Sequence, residues 1–259
     1  MSSRGFGVAA GLDPEVAGPV AARCQELGYE SLWSNDTPMG LGLETLAAFG
    51  EAAPGIQLGV TMAIDRHPPA EIAGHVERLG LDRDRLVLAV ASGHNRKAVT
   101  TMREALPELR DALPGIRLVL AAMGPKMCRL AGSHYDGVFF NWMTPAFAAA
   151  ARGDVEAGAE EAGRDTPPVM GYVRAAVGDD AAARLEKEEA FYRDLHAGYR
   201  KHFDRLGEPE GTVGVATHAA DEAQAALAEY EALDVLVVRA LASAKVDAMT
   251  ALAEAAAPR

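Results

Sequence analysis

Three short stretches carry the residues best suited to chemistry, and each stands where an apolar run ends. After Leu118-Val119-Leu120-Ala121 the chain reads Ala122-Met123-Gly124-Pro125-Lys126-Met127-Cys128-Arg129. This is a buried strand, a Gly-Pro break and a helix whose first turn suits Pro125, because the amide that proline lacks is unpaired there anyway. Gly124 admits a ligand or another backbone closely. Free amides at the positive end of the helix dipole then form an anion site; a plain strand-to-helix turn gives the same pattern. The second stretch, Ala91-Ser92-Gly93-His94-Asn95, is a polar turn. Ser92 and Gly93 would line a pocket there and His94 would give up a proton, or Asn95 caps the next helix and His94 is solvated. The third, Trp33-Ser34-Asn35-Asp36-Thr37, sets Asp36 at a strand end beside an aromatic residue. Asp36 serves either a ligand or the turn that follows.

Other chemistries lack their residues. There is no Gly-x-Ser-x-Gly elbow, no histidine pair at i, i+4 enclosing a glutamate, and no cysteine cluster with zinc spacing. No metal site is expected. Ala9-Ala10-Gly11-Leu12-Asp13 follows the first strand, where a dinucleotide fingerprint would stand.

The elements that must position these residues alternate from end to end. Phe6–Ala10 reads as a strand, and Asp13-Pro14-Glu15 opens a helix to about Leu27 that Gly28 stops. Ser31–Asn35 leads to a helix over Leu43–Ala53. Ile56–Ile64 leads to one from Pro68-Pro69 to Leu81, and Arg85–Ala91 to one from Arg96 to about Leu113. Ile116–Ala122 is followed by a helix to Tyr135, and Gly137–Trp142 by the alanine-rich helix opened by Thr144-Pro145. Val169–Val177 precedes a single helix from Asp179 to about Leu206. A helix centred on Glu222–Glu231 is extra, and Val235–Leu241 with Ser243–Ala256 closes the series. Continuous Val/Leu/Ala strands suit a parallel sheet covered on both faces. About eight units at this length predict an α/β fold: one (β/α)8 TIM barrel spanning 1–259. Function then belongs to the loops after the strands, where the three polar stretches fall.

Composition sets further bounds. The 259 residues are 49% hydrophobic and 24% charged, which describes a soluble globular chain. A formal net charge of −12 excludes a domain-wide basic field for nucleic acid. Cys24 and Cys128 are far apart and read as small core residues. With no signal-length apolar run at the N-terminus and no membrane-length segment, the expectation is a cytoplasmic protein without a membrane partner.

Several stretches resemble a known family. Glu26-Leu27-Gly28-Tyr29-Glu30-Ser31-Leu32-Trp33-Ser34-Asn35-Asp36 resembles the approach to the second strand in the bacterial luciferase-like family. Ile56–Thr61 with Arg66-His67-Pro68-Pro69 is similar to its third unit. The Gly-Pro-Lys turn, Leu130-Ala131-Gly132 and Asp136-Gly137 match the fifth and sixth. Asn141-Trp142-Met143-Thr144-Pro145 and Gly171-Tyr172-Val173-Arg174 resemble the branch that uses the deazaflavin coenzyme F-420 and includes methylenetetrahydromethanopterin reductase.

The resemblance implies a TIM barrel and an oxidoreductase that passes a hydride between coenzyme F-420 and an unidentified small organic substrate. An FMN-dependent monooxygenase or reductase, or a cofactor-binding protein without turnover, are the alternatives. It implies a cofactor held by Asp36, by Gly59-Val60-Thr61 behind the ring, by Ser92 and Gly93, and by Ala122, Met123, Gly124, Pro125 and Lys126 along the phosphate. Asp36 and His94 are the candidate catalytic residues. Members often carry a non-proline cis peptide where Gly59-Val60-Thr61 stands, and commonly pair as homodimers. Two departures stand out. Thr37 follows Asp36 where many members have histidine, and only Pro114-Gly115 replaces a long loop over the pocket. An open site, a different substrate, or closure by a neighbouring subunit follows from the second.

Overall fold

The computed structural model describes residues 3–38 and 40–259. The first six strands, β1 (Ser3–Ala9), β2 (Ser31–Asn35), β3 (Gln57–Ala63), β4 (Leu86–Ala91), β5 (Arg117–Ala122) and β6 (Val138–Asn141), pair in sequence order, all parallel. The seventh, β7 (Val169–Val177), lies between β6 and β9 (Val235–Ala240), and β9 returns to β1. These eight strands close a (β/α)8 barrel. The remaining strand, β8 (Val215–Thr217), pairs with the outer end of β7 and lies outside the ring.

Sequence punctuation fixes the helices around it. Asp13 accepts the Glu15 amide at 2.9 Å at the start of α1 (Pro14–Glu26), with Pro14 in the first turn. Gly28, at φ 83°, lets the chain turn back into β2. The helices α2 (Gly42–Ala52), α3 (Pro69–Arg78), α4 (Ala98–Ala112), α5 (Pro125–His134) and α6 (Pro145–Glu161) follow their strands, and Thr144 caps α6 through the Phe147 amide.

One expected element is two. The run expected as a single helix to Leu206 divides into α7 (Ala181–Leu195) and α8 (Ala197–Leu206). His196 is extended at the break, and its Nδ1 accepts the Gly198 amide at 2.9 Å. A Cβ on residue 198 would lie 2.7 Å from the imidazole, so the glycine makes that cap possible. The chain then runs through α9 (Ala220–Ala228) and ends with α10 (Val246–Ala255).

Apolar residues divide between two layers. Outward-facing residues pack against the helices, whereas Trp33, Val87, Ala89, Val119, Phe139, Met170, Tyr172 and Val237 fill the barrel. Strand alternation produces this sorting, since side chains two residues apart share a face. Cys24 and Cys128 are buried free thiols, and burial pushes the Cys128 thiol up to about 12. Among the described residues no helix is long and apolar enough to cross a membrane.

Candidate active site at the barrel mouth

The inward-facing period builds the site. Trp33 and Phe139 meet at 4.6 Å, and Phe139 meets Tyr172 edge-on at 4.7 Å, forming a solid aromatic floor. Two residues further along each strand, the same face carries Asn35, Asn141 and Arg174 on β2, β6 and β7, but only Ala63, Ala91 and Ala121 on β3, β4 and β5. Bulk is absent on one side and polarity concentrated on the other. A chamber of about 150 Å³ results, and it opens outward into a cavity of about 360 Å³. The larger cavity is of the size that holds a small ligand.

Arg174 dominates the chamber. It is 2% exposed, lies 3.8 Å from the Trp142 ring centroid and 4.9 Å from that of Tyr192, and donates through Nη1 to the Asn141 carbonyl oxygen. Asn141 in turn donates to the Tyr199 hydroxyl at 3.1 Å. Its in-register neighbour on β9, Arg239, is also buried and donates through Nε to Asn35 at 2.8 Å. Desolvation lowers the Arg174 pKa, and it raises those of the Tyr172 and Tyr199 hydroxyls. Arg174 Nε in the lining has no hydrogen-bond partner, and the buried Tyr172 hydroxyl has the Thr61 side chain beside it.

The outer rim comes from α7, α8 and the loops after β2 to β5. Phe191, Tyr192, Leu195, His196 and Tyr199 stand over the mouth from the α7–α8 break, where Tyr192 and Tyr199 meet at 4.9 Å and 89°. Pro114-Gly115, expected where a loop would cover the pocket, precedes β5 and so lies at the end of the barrel opposite the mouth; the cover comes from α7 and α8. His94 and His196 face each other at 5.3 Å. Burial, and then the neighbouring His94, hold the His196 pKa below the ordinary histidine value. Gly93, at φ 61°, leaves the space Asp65 occupies, since a Cβ there would sit 1.8 Å from its carboxylate. Asp65 accepts the His94 amide at 2.8 Å.

Of the residues expected from sequence, Asp36, Thr61, Ser92, Gly93, His94, Ala122 and Met123 come together around this mouth. Gly59 and Val60 lie elsewhere. A Cβ on residue 59 would lie 2.2 Å from the Trp33 indole, so Gly59 sits beneath the floor, while Val60 faces outward to Gly42 at the start of α2. The described peptide bonds include no cis bond, contrary to the expectation for this strand, and β3 keeps an unbroken register with β2 and β4. Gly124, Pro125 and Lys126 stand just past the lining at the start of α5. Arg205 of α8 reaches that turn, donating to the Met123 carbonyl at 2.6 Å.

Asp36 is fully engaged by protein. Its Oδ1 accepts the Gly42 amide at 2.8 Å, and its Oδ2 meets His67 Nε2 at 2.7 Å and Arg66 at 3.3 Å, with the side chain 3% exposed. Arg205 and His196 give no signal in the sequence, whereas Tyr192 and Tyr199, aromatic residues in one helical run, read as core or as the edge of a pocket or dimer seam. Phe139 and Tyr172 had a usable signal, each lying two residues before a polar strand-end residue.

The sequence profile of luciferase-like monooxygenases matches residues 93–243. No curated protein sequence matches the chain. Similar solved structures include an F-420-dependent secondary alcohol dehydrogenase in complex with an F-420–acetone adduct, at 15% identity and a TM-score of 0.74 over 98% of this chain and 99% of that one. A coenzyme F-420-dependent tetrahydromethanopterin reductase from Methanopyrus kandleri gives 16%, 0.73, 98% and 97%. A monooxygenase from Streptomyces bottropensis gives 15%, 0.69, 98% and 97%. At such identities the likeness is one of fold.

Proposed function

The chain belongs to the luciferase-like monooxygenase family, and we propose that it is an oxidoreductase whose barrel mouth binds coenzyme F-420 beside a small organic substrate. The observation that carries this reading is the unpartnered, buried Arg174 Nε in the lining of the chamber, next to the Tyr172 hydroxyl. A buried donor without an acceptor costs about 1–3 kcal/mol. The guanidinium therefore favours a ligand that brings an acceptor to that depth. A flat ring with a polar edge fits, because Ala63, Ala91 and Ala121 leave room for it and the aromatic floor limits its depth.

When bound, this coenzyme supplies a hydride to its substrate or takes one from it. Arg174 and Tyr172 would hold the ring's polar edge, with Asn141 fixing the guanidinium. The start of α5, with Arg205 beside Gly124, would hold the phosphate. Thr61, Ser92 and Gly93 would line the way between them. Tyr192 and Tyr199 exclude water, which strengthens each polar contact beneath them. His94 and His196 stand at the outer end, and burial keeps the His196 imidazole toward the neutral form that can take a proton. Asp36 positions Arg66 and the loop after β3. The choice of F-420 over FMN is supported by the sequence resemblance and by Arg205, which reaches the start of α5 and would meet a longer anionic tail.

Absorbance titrations with both coenzymes test this. One F-420 per chain, bound more tightly than FMN, is expected. Equal or tighter FMN binding overturns the choice of coenzyme, and binding of neither overturns the enzymatic reading. The same reading includes a homodimer: Phe191 and Leu195, the exposed large apolar side chains among the described residues, stand on the rim, where a second copy would bury them. Light scattering that gives a monomer at working concentration counts against it.

A further inference from the structure

In the loop after β3 and on the first turns of α3, His67, Glu71 and His75 stand four residues apart, His67 just ahead of the helix and the other two one turn apart on it. His67 Nδ1 lies 2.9 Å from Glu71 Oε1, and His75 Nε2 lies 3.5 Å from the same oxygen. The three ligand atoms are all within 4.8 Å of one another, with the side chains 16%, 48% and 25% exposed in chain order. We propose that these three residues form a site for a divalent transition-metal ion of the zinc type, with Asp36 as the hydrogen-bonded partner that orients His67.

The contacts of His67 carry the argument. Its two ring nitrogens both face carboxylate oxygens, Nε2 toward Asp36 at 2.7 Å and Nδ1 toward Glu71 at 2.9 Å. A neutral imidazole has one N–H and satisfies one of them. With Nε2–H donated to Asp36, Nδ1 turns its lone pair toward Glu71, where a metal ion would take up both. A zinc ion bound tetrahedrally, at about 2.0–2.1 Å from each ligand, sets its donors about 3.3 Å apart. The two measured spacings to Glu71 bracket that value, and the histidines close the rest by small side-chain rotations. Asp36, buried and anchored by the Gly42 amide, then completes a carboxylate–histidine–metal chain of the kind that fixes a ligand's tautomer and orientation. Glu71 is half exposed, which leaves a fourth position for water. Arg78, now 3.1 Å from His75 Nδ1, must swing toward its other partner, Glu44, because that nitrogen takes a proton once Nε2 binds metal. The expectation of no metal site arose because the glutamate lies midway between histidines eight residues apart, not between a pair one turn apart.

The test uses the full chain, stripped with EDTA and freed of chelator, and titrated with zinc against pyridylazoresorcinol. One ion per chain is expected. Affinity should fall by about tenfold or more in His75→Ala and in Glu71→Gln, and stay at the parent's level in His134→Ala on α5. Cobalt(II) gives a second reading: a tetrahedral ligand-field band in the parent that His75→Ala abolishes, with matching melting curves to show that the variant folds. No uptake by the parent, or uptake indifferent to both substitutions, overturns the site.

Discussion

The Arg174 guanidinium lies 3.8 Å from the centroid of the Trp142 ring, and Trp142 is held at φ 53° directly after β6 to meet it. Bulky residues seldom enter that left-handed region; such conformations cost about 1–3 kcal/mol and persist where the surroundings over-determine them. Here Tyr192 and Phe203 each pack edge-on against the indole at 5.1 Å, and His202 takes up the Trp142 carbonyl. The backbone strain thus buys a desolvated cation a π-face in place of water, with Nε left free toward the chamber.

Replacing Arg174 by methionine should separate binding from stability. A buried cation that makes no ion pair among the described residues gains little from its charge, and apolar replacements of buried charges are often neutral or stabilising. The melting temperature of Arg174→Met should therefore match or exceed that of the parent. Affinity for F-420 should drop tenfold or more, about 1.4 kcal/mol. Thermal melts and absorbance titration read the two quantities. Parental affinity in a folded variant would remove Arg174 from the site.

Gly59→Ala should damage the barrel interior. The register of β2 and β3 sets Gly59 opposite Trp33, and a Cβ there would lie 2.2–2.4 Å from three indole atoms. The indole is itself pinned by Phe139 and by its N–H donated to Ser31 at 2.9 Å. Overpacking costs about 1–3 kcal/mol, occasionally more, and a pinned ring places this variant near about 3 kcal/mol. Urea unfolding measures it; a loss below about 0.5 kcal/mol would mean that the indole has room to move.

These features were unequally legible in the sequence. The eight units could be read because their signals are local: apolar runs, Pro at helix starts, Gly or Pro-Gly at stops. The mouth followed from the fold, since parallel strands deliver their C-terminal ends to one side. The break at His196 could not be read, because the charged, aromatic pattern runs through it and the turn is fixed by the imidazole cap and the Tyr192–Tyr199 contact. Gly59 was misplaced for a related reason: a glycine in a strand signals close approach without saying of what, and here it is Trp33. The Asp36–His67 contact joins residues 31 apart in the chain through the β2–β3 pairing, so neither residue's surroundings in sequence announced it.

Stability should fall on mild acidification, with His202 as one source. It is 1% exposed, shares a hydrogen bond with the Trp142 carbonyl through Nε2, and has no partner at Nδ1. Burial lowers its folded pKa, so the unfolded chain takes up the proton first as pH falls. Its contribution is present above the unfolded value of about 6.5 and is lost as pH falls from there toward the folded value. The loss cannot exceed about 1.4 kcal/mol per pH unit. Unfolding free energies measured from neutral to mildly acidic pH should decline less steeply in His202→Gln, which keeps a donor for the carbonyl. Equal slopes would assign the acid sensitivity to other groups, such as the half-exposed His196.

Asp36 offers the sharpest division between holding the site together and touching what binds there. Its two carboxylate oxygens are already used, one by the Gly42 amide at the start of α2 and the other by His67 and Arg66. Asp36→Ala strands all three donors, and hydrogen bonds to a charged partner are worth about 1.5–3 kcal/mol. A stability loss of about 2–3 kcal/mol is expected, with F-420 affinity reduced less than tenfold under conditions where the variant remains folded. Asp36→Asn keeps an acceptor for Gly42 but not the charge facing Arg66 and His67, so it should fall between the parent and Asp36→Ala in stability. Urea unfolding and coenzyme titration of both variants decide the matter. A hundredfold loss of affinity at parental stability would show that Asp36 contacts the coenzyme itself, and that its present partners give way when the coenzyme binds.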